Sequence, residues 1–249
     1  MSGHSKWATI KRKKAANDAK RSNQYAKLLR AVEVAAKEGG ADPSANMTLA
    51  SAVEKAKASS VPSDNIDRAI KRGSGADADG ARYEEITYEG YAPGGIALFV
   101  EALTDNRNRT AQDVRHAFTR NGGNLGETGS TAWMFTRKGL IVVEKAAAPD
   151  DEGLLEQALE AGAEDLNDSE SSWEVVTDPM ALARVRDALR SAGIELFSAE
   201  LTMLPQSTIP VDGGEAKKVL QLIEALEDLE DVQNVYANFD IPEEVMASL

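Results

Sequence analysis

Between Gly139 and Leu204 the hydrophobic period changes in a fixed order, which limits the possible folds more than any other feature of the chain. "GLIVVE" reads as a strand, "DEGLLEQALEAG" repeats with helical spacing, and "AEDLND" and "SWEVVT" are two short strands. "PMALARVRDALRSAG" returns to the helical repeat, with Pro179 suited to its first turn, and "ELFSAELTML" closes as a strand. The order β-α-β-β-α-β specifies a ferredoxin-like sandwich, with two helices on one face of an antiparallel sheet.

The flanking segments add up to a second such series. Strand 96–102, helix 109–121 and strand 131–136 precede the unit, and strand 207–211, helix 214–228 and strand 232–239 follow it. "EEITYEGY" (Glu84 to Tyr91) alternates as a further strand and turns through "APGG" into the first of these. The expected class is therefore α+β. One ferredoxin-like α/β sandwich (138–204) is inserted in another built from 81–137 plus 205–249. Insertion at an exposed hairpin tip disturbs little.

Ahead of these units the period is helical. "NQYAKLLRAVEVAAKEGG" places Tyr25, Leu28, Leu29, Val32 and Ala36 on one face, and "NMTLASAVEKAKASS" repeats the pattern from an Asn46 cap. "VPSDNIDRAIKRGSG" is a short third helix, capped by Ser63 or Asp64 and ended by Gly73. No single amphipathic helix can bury its own stripe, so residues 1–72 are expected to pack as a helical bundle domain. "GSGADADG", at 73–80, has the composition of a flexible linker.

Charge divides at the same place. The 249-residue chain carries a net charge of -13. Residues 1–72 hold 15 Lys/Arg against 7 Asp/Glu, a net of +8, while the remainder holds 13 against 34, a net of -21. Such asymmetry marks a basic part that meets a polyanion and an acidic part that stands off from it. The cations concentrate in "GHSKWATIKRKKAANDAKR", where Lys6, Lys11, Arg12, Lys13, Lys14, Lys20 and Arg21 face only Asp18. Lysines spaced in this way meet successive phosphates and release condensed counterions. Trp7 in this stretch is read as an anchor to the bundle rather than a base-stacking ring.

Other chemistries find little support. With no cysteine there is no disulfide, thiolate metal site or cysteine nucleophile. His4 and His116 are the only histidines and share no motif, and nothing has metal-ligand spacing, so no cofactor or metal is expected. Glycine-rich "NGGNLGETGS" lacks the G-K-[ST] ending of a Walker loop and reads as a tight helix-to-strand connection. Apolar runs such as "IALFV" are strand-sized, which excludes a membrane span there, and no apolar region of a secretory signal follows the basic start. A cytoplasmic setting is the expectation. One loop keeps two readings open. "TDNRNRTAQDVR" joins a strand to a helix N-terminus, where Asp105, Asn106, Arg107 and Arg109 form either an anion- or partner-binding loop or a capped turn with its arginines paired to Asp105.

At these residues the chain resembles the YebC family. The resemblance rests on "GHSKWATIKRKKAANDAKR", "KASSVPSDNIDRAIKRG", "YEGYAPGGIALFVEALTDNRNRT" and "RHAFTRNGGNLGETGS…WMF", which follow one another through most of residues 1–139. The resemblance implies a helical domain with two α+β domains and no enzymatic activity. Bacterial relatives are described as probable transcriptional regulators that bind DNA. Others act on the ribosome, among them the mitochondrial translational activator of cytochrome oxidase and bacterial members that assist synthesis through proline-rich stretches. The basic motif of the family maps onto Lys6, Lys11, Arg12, Lys13, Lys14, Lys20 and Arg21, and its "TDNRNRT" motif onto Thr104 to Thr110. The expected partner is a nucleic acid, DNA or ribosomal RNA, with the acidic domains open to a protein partner. No membrane or small-molecule substrate is expected. An enzyme using the Arg107/Arg109 loop on a phosphorylated substrate is the remaining reading, of a different class.

Overall fold

The structure, a computed structural model, describes residues 18–76, 83–147, 151–169, 171–241 and 245. Among the described residues three helices come first: α1 (Asp18–Gly39), α2 (Met47–Ala58) and α3 (Ser63–Lys71). Leu28, Val32, Ala35 and Ala36 of α1 bury against Leu49 and Ala56 of α2 and Ile66 and Ala69 of α3. Asn46 caps α2 as its sequence position suggests. Its side chain accepts from the Leu49 amide and donates to the carbonyls of Ala35 and Gly40, so one residue closes two helix ends. The start of α3 differs from expectation. The cap position falls on Pro62, whose carbonyl receives the amides of Asn65 and Ile66, and neither Ser63 nor Asp64 acts as its side-chain cap.

The glycines that read as linker begin within a π-helical turn, Arg72–Ala76. A Cβ at Gly73 would lie 2.1 Å from the Glu33 carbonyl oxygen. This residue is a close contact between the turn and α1, which only glycine permits.

Next come β1 (Glu84–Tyr91), β2 (Ala97–Thr104), α4 (Arg107–Arg120) and β3 (Asn124–Leu125). β4 (Phe135–Glu144), α5 (Asp151–Ala161), β5 (Asp165–Asp168), β6 (Ser172–Thr177), α6 (Leu182–Ser191) and β7 (Ser198–Pro205) follow. The chain then runs through β8 (Ile209–Pro210), α7 (Gly213–Glu227), β9 (Val232–Ala237) and β10 (Phe239–Asp240). The class is α+β.

In the second of two four-stranded sheets the order is β5-β6-β4-β7, antiparallel throughout, which is the expected ferredoxin-like order. Its helices α5 and α6 bury Leu154, Ala158, Val185 and Leu189 against Ile141, Val143 and Val175.

The first sheet has the order β3-β1-β2-β9. Val114 and Phe118 of α4, with Val219, Leu222, Ile223 and Leu226 of α7, cover Leu98, Val100 and Val235. Here the strands differ from the reading of the pattern. Residues 132–134 form a 3-10 turn, and Phe135 already belongs to β4 of the other sheet. The expected strand 207–211 shrinks to β8, paired in parallel with β10. The place beside β2 is taken by β1, which precedes the whole series. On the face away from α4 and α7, Phe99 and Tyr236 meet Phe135 and Met203, so the two sheets join through an aromatic contact.

Candidate nucleic-acid interface

Of the basic segment, Lys6, Lys11, Arg12, Lys13 and Lys14 lie outside the described residues. Lys20 and Arg21 fall in the first turn of α1. The described part of α1 carries a second polar stripe, Asn23, Lys27 and Arg30, spaced i, i+4, i+7 on one face. This stripe docks onto the C-terminal end of α7. Asn23 donates to the Asp228 carbonyl at 3.0 Å and Lys27 to that of Glu227. Those carbonyls are the unsatisfied negative end of a helix, so cationic donors are favoured there.

Arg30 reaches furthest. Its guanidinium donates to the carbonyl of Leu103, to Glu230 at 2.8 Å and to Asp231 at 2.9 Å, and it lies 5.0 Å from the centre of the Tyr83 ring. Asp231 is placed by a bulge after Glu101, which sets Val232 opposite Ala102 and lets the Leu103 amide donate to the Asp231 carbonyl.

Around this buried carboxylate the "TDNRNRT" loop assembles. Thr110 donates its hydroxyl to Asp231 at 2.7 Å and Thr104 does so at 3.2 Å. Arg109 adds a forked contact through Nε and Nη2, at 3.2 and 2.8 Å. Burial alone would raise the Asp231 pKa. The Thr110 and Arg109 hydrogen bonds, with the charges of Arg109 and Arg30, hold it below the ordinary carboxylate range. Hydrogen bonds to Asp231 and then Asp105 raise Arg109 further above its ordinary value.

The structure thus brings Asp105, Asn106 and Arg109 together. Asn106 caps α4 by accepting from the Arg109 amide, and Asp105 pairs with Arg109 at 2.8 Å. Arg107 turns away to Glu84 at 3.3 Å and is two-thirds exposed. The sequence reading did not single out Arg30 or Asp231. The stripe on α1 was the available signal for Arg30. Asp231 is one of four acids between Glu227 and Asp231 and carries no local mark.

The glycine-rich loop after α4 holds an anion from its own chain. Glu89, on β1 and 3% exposed, accepts from the amides of Gly129, Thr131 and Ala132, each at 2.6 Å. Burial would raise its pKa, and these three amides bring it below the ordinary value. Gly129 supplies the positive φ of 89° that points its amide inward. The carboxylate fills the concavity that a phosphate loop would offer.

The helical unit also meets the second sheet. Glu54 on α2 receives Arg186 and Arg190 of α6, and Lys55 lies 3.5 Å from Glu200 on β7. Among the described residues no cluster of three or more His, Asp or Glu is placed to hold a metal ion. Among the same residues no helix is long and apolar enough to cross a membrane.

Known proteins match this architecture along the chain. Residues 5–76 match the model of the TACO1/YebC N-terminal domain, and residues 83–239 that of the TACO1/YebC second and third domain. A probable transcriptional regulatory protein of Salinispora arenicola is 55% identical over the full length of both chains. One of Rubrobacter xylanophilus is 56% identical over all of this chain and 99% of its own. The crystal structure of a conserved hypothetical protein from Aquifex aeolicus superposes with a TM-score of 0.80 at 46% identity, covering 90% of this chain and 92% of that one. With both family models matched in order and full-length relatives above half identity, the chain belongs to the TACO1/YebC family.

Proposed function

We propose that this protein is a non-enzymatic, cytoplasmic nucleic-acid-binding regulator of gene expression. In this reading residues 1–72 are the polyanion-binding domain, 73–80 the connection, 81–137 plus 205–249 the first α/β domain, and 138–204 the inserted one. The observation that carries the proposal is the division of charge, +8 before residue 73 and -21 after it. The structure supports it in one further respect. Lys27 and Arg30 are engaged with α7 and Asp231 and so are not offered to a polyanion; in this reading Lys6, Lys11, Arg12, Lys13, Lys14, Lys20 and Arg21 make the contact. Relatives named as transcriptional regulators favour DNA as the target. Ribosomal RNA, in a translation-assisting role, is the second reading. It is favoured by the sequence showing no helix-turn-helix signature with a base-reading face, since phosphate contacts alone do not read bases.

Alanine at Lys11, Arg12, Lys13 and Lys14 together is expected to remove most binding to duplex DNA and to ribosomes and to flatten its salt dependence, with little change in thermal stability. Unchanged affinity in the salt titration would overturn the proposal. Co-sedimentation with ribosomes, run beside duplex binding near physiological salt, separates the two targets. Ribosome association that persists where DNA is released selects translation, and the reverse selects transcription.

A further inference from the structure

Helix α4 stands out within the acidic part of the chain. It carries Arg107, Arg109, Arg115 and Arg120 against one acid, Asp113, whereas α5 carries four acids and no base. Thr110, Val114, Ala117 and Phe118 face the core. At 100° per residue the opposite face presents Asn108, Gln112, His116 and Thr119, with Arg115 on one flank and Arg120 on the other, all exposed. Asp113, also exposed, borders this surface beside Arg120, and no Glu or Lys lies on it.

The arginines of this helix divide by partner. Arg107 pairs with Glu84, and Arg109 with Asp105 and Asp231. Arg115 and Arg120 form no ion pair among the described residues; exposed Arg137 and Arg184 form none either, but each is alone in this on its element, whereas α4 carries two. Asp113, His116, Arg120 and Asn121 also rim a groove whose far wall is Ala225 and Leu229, at the end of α7. In a region of net charge -21, unpaired and exposed guanidinium groups are matched to an external anion rather than to the fold.

We propose that the outward face of α4 is a second nucleic-acid contact, where Arg115 and Arg120 engage the sugar-phosphate backbone. The inference rests on the nucleic-acid-binding reading above. Arg115 and Arg120 lie about 7.5 Å apart along the helix axis and about 140° apart around it, so they reach separate phosphates from the two flanks of the outward face. The helix starts at the Asp231 cluster, where Arg30 of α1 also ends, so the α4 face adjoins the docking point of the basic helical unit. One polyanion can then span both, and the acidic surfaces elsewhere repel it from other orientations.

The test uses the full chain with Arg115→Gln and Arg120→Gln combined, against a single-stranded RNA of about 20 nucleotides and a duplex DNA of similar length, by fluorescence anisotropy across a salt series. Losing two phosphate contacts is expected to reduce the log–log salt slope by about 1.4 on the single strand and about 1.8 on the duplex. A reduction on either probe supports the surface and identifies which polymer uses it. Arg115→Lys with Arg120→Lys should retain most of the slope, which separates charge from loss of fold. Asp113→Asn should tighten binding. Unchanged slopes in the glutamine variant, while the Lys11/Arg12/Lys13/Lys14 variant loses binding, overturn the α4 surface and leave the basic segment as the site. Binding unaffected by either set overturns both readings.

Discussion

Two buried carboxylates of the first α/β unit are compensated in opposite ways. Glu89 is held by three backbone amides of one loop, all within 43 residues of it along the chain. Asp231 is held by side chains from α1, β2 and α4, up to 201 residues away. The first arrangement shapes a loop. The second joins three elements, one of them from the helical unit, and fixes the orientation in which the basic part of the chain meets its acidic body. Backbone amides survive every substitution except proline, whereas arginines do not, so the Asp231 site is the more exposed to mutation.

Asp231→Ala should have the largest effect. It leaves the largely buried Arg30 and the half-exposed Arg109 without their shared buried carboxylate, a loss of about 3–5 kcal/mol. Urea denaturation measures it, and hydrogen exchange should show α1 as well as α4 losing protection. If α1 keeps full protection, the junction is not the coupling it is taken to be. Glu89→Gln comes next, at about 2–3 kcal/mol, because three amides then compete for one neutral oxygen. Its exchange effect should stay within residues 126–134, and spread to α1 would erase the contrast.

Arg30→Ala should cost about 1–2 kcal/mol, since Asp231 keeps Arg109, Thr104 and Thr110. Hydrogen exchange in α1 should accelerate as the helical unit loosens. At the small end, Arg107→Ala removes an exposed pair and should change stability by less than about 0.5 kcal/mol. A larger loss would mean that Arg107 belongs to the Asp231 cluster after all.

Acid titration tests both sites together. Each carboxylate has its folded-state pKa lowered, so its contribution is complete above the unfolded value, near 4, and disappears as pH falls through the folded value. The urea midpoint should hold steady from about pH 8 to about pH 5 and drop below about pH 4. Asp231→Asn and Glu89→Gln should each make that drop shallower.

These two residues also mark where the sequence stopped being legible. Core stripes on α1 and α7 and the order of the inserted sheet follow from local periodicity, because each element buries a face that its own spacing defines. Residues 131–136 misled for a physical reason. "TAWMFT" holds a strand-sized apolar run, but Glu89 accepts from the amides of Thr131 and Ala132 where the chain bends into a 3-10 turn. Nothing within six residues encodes a partner some forty positions away. The same holds for Asp231, which looks like its acidic neighbours until a bulge turns it inward. The TDNRNRT loop was legible as chemistry, in its cap and its Asp105–Arg109 pair, and its anchor was not.

β4 and β7 have a mechanical consequence. They pair continuously from Phe135 opposite Pro205 to Val142 opposite Ser198, and they are the two passages by which the chain enters and leaves the inserted unit. A hydrogen-bonded ribbon resists shear along its length in a way that two loose tethers cannot. Its root is wedged by Phe135 against Phe99. Force applied at the far tip of the acidic unit is therefore delivered as torque to the first sheet, and the unit acts as a stiff lever rather than a pendant weight.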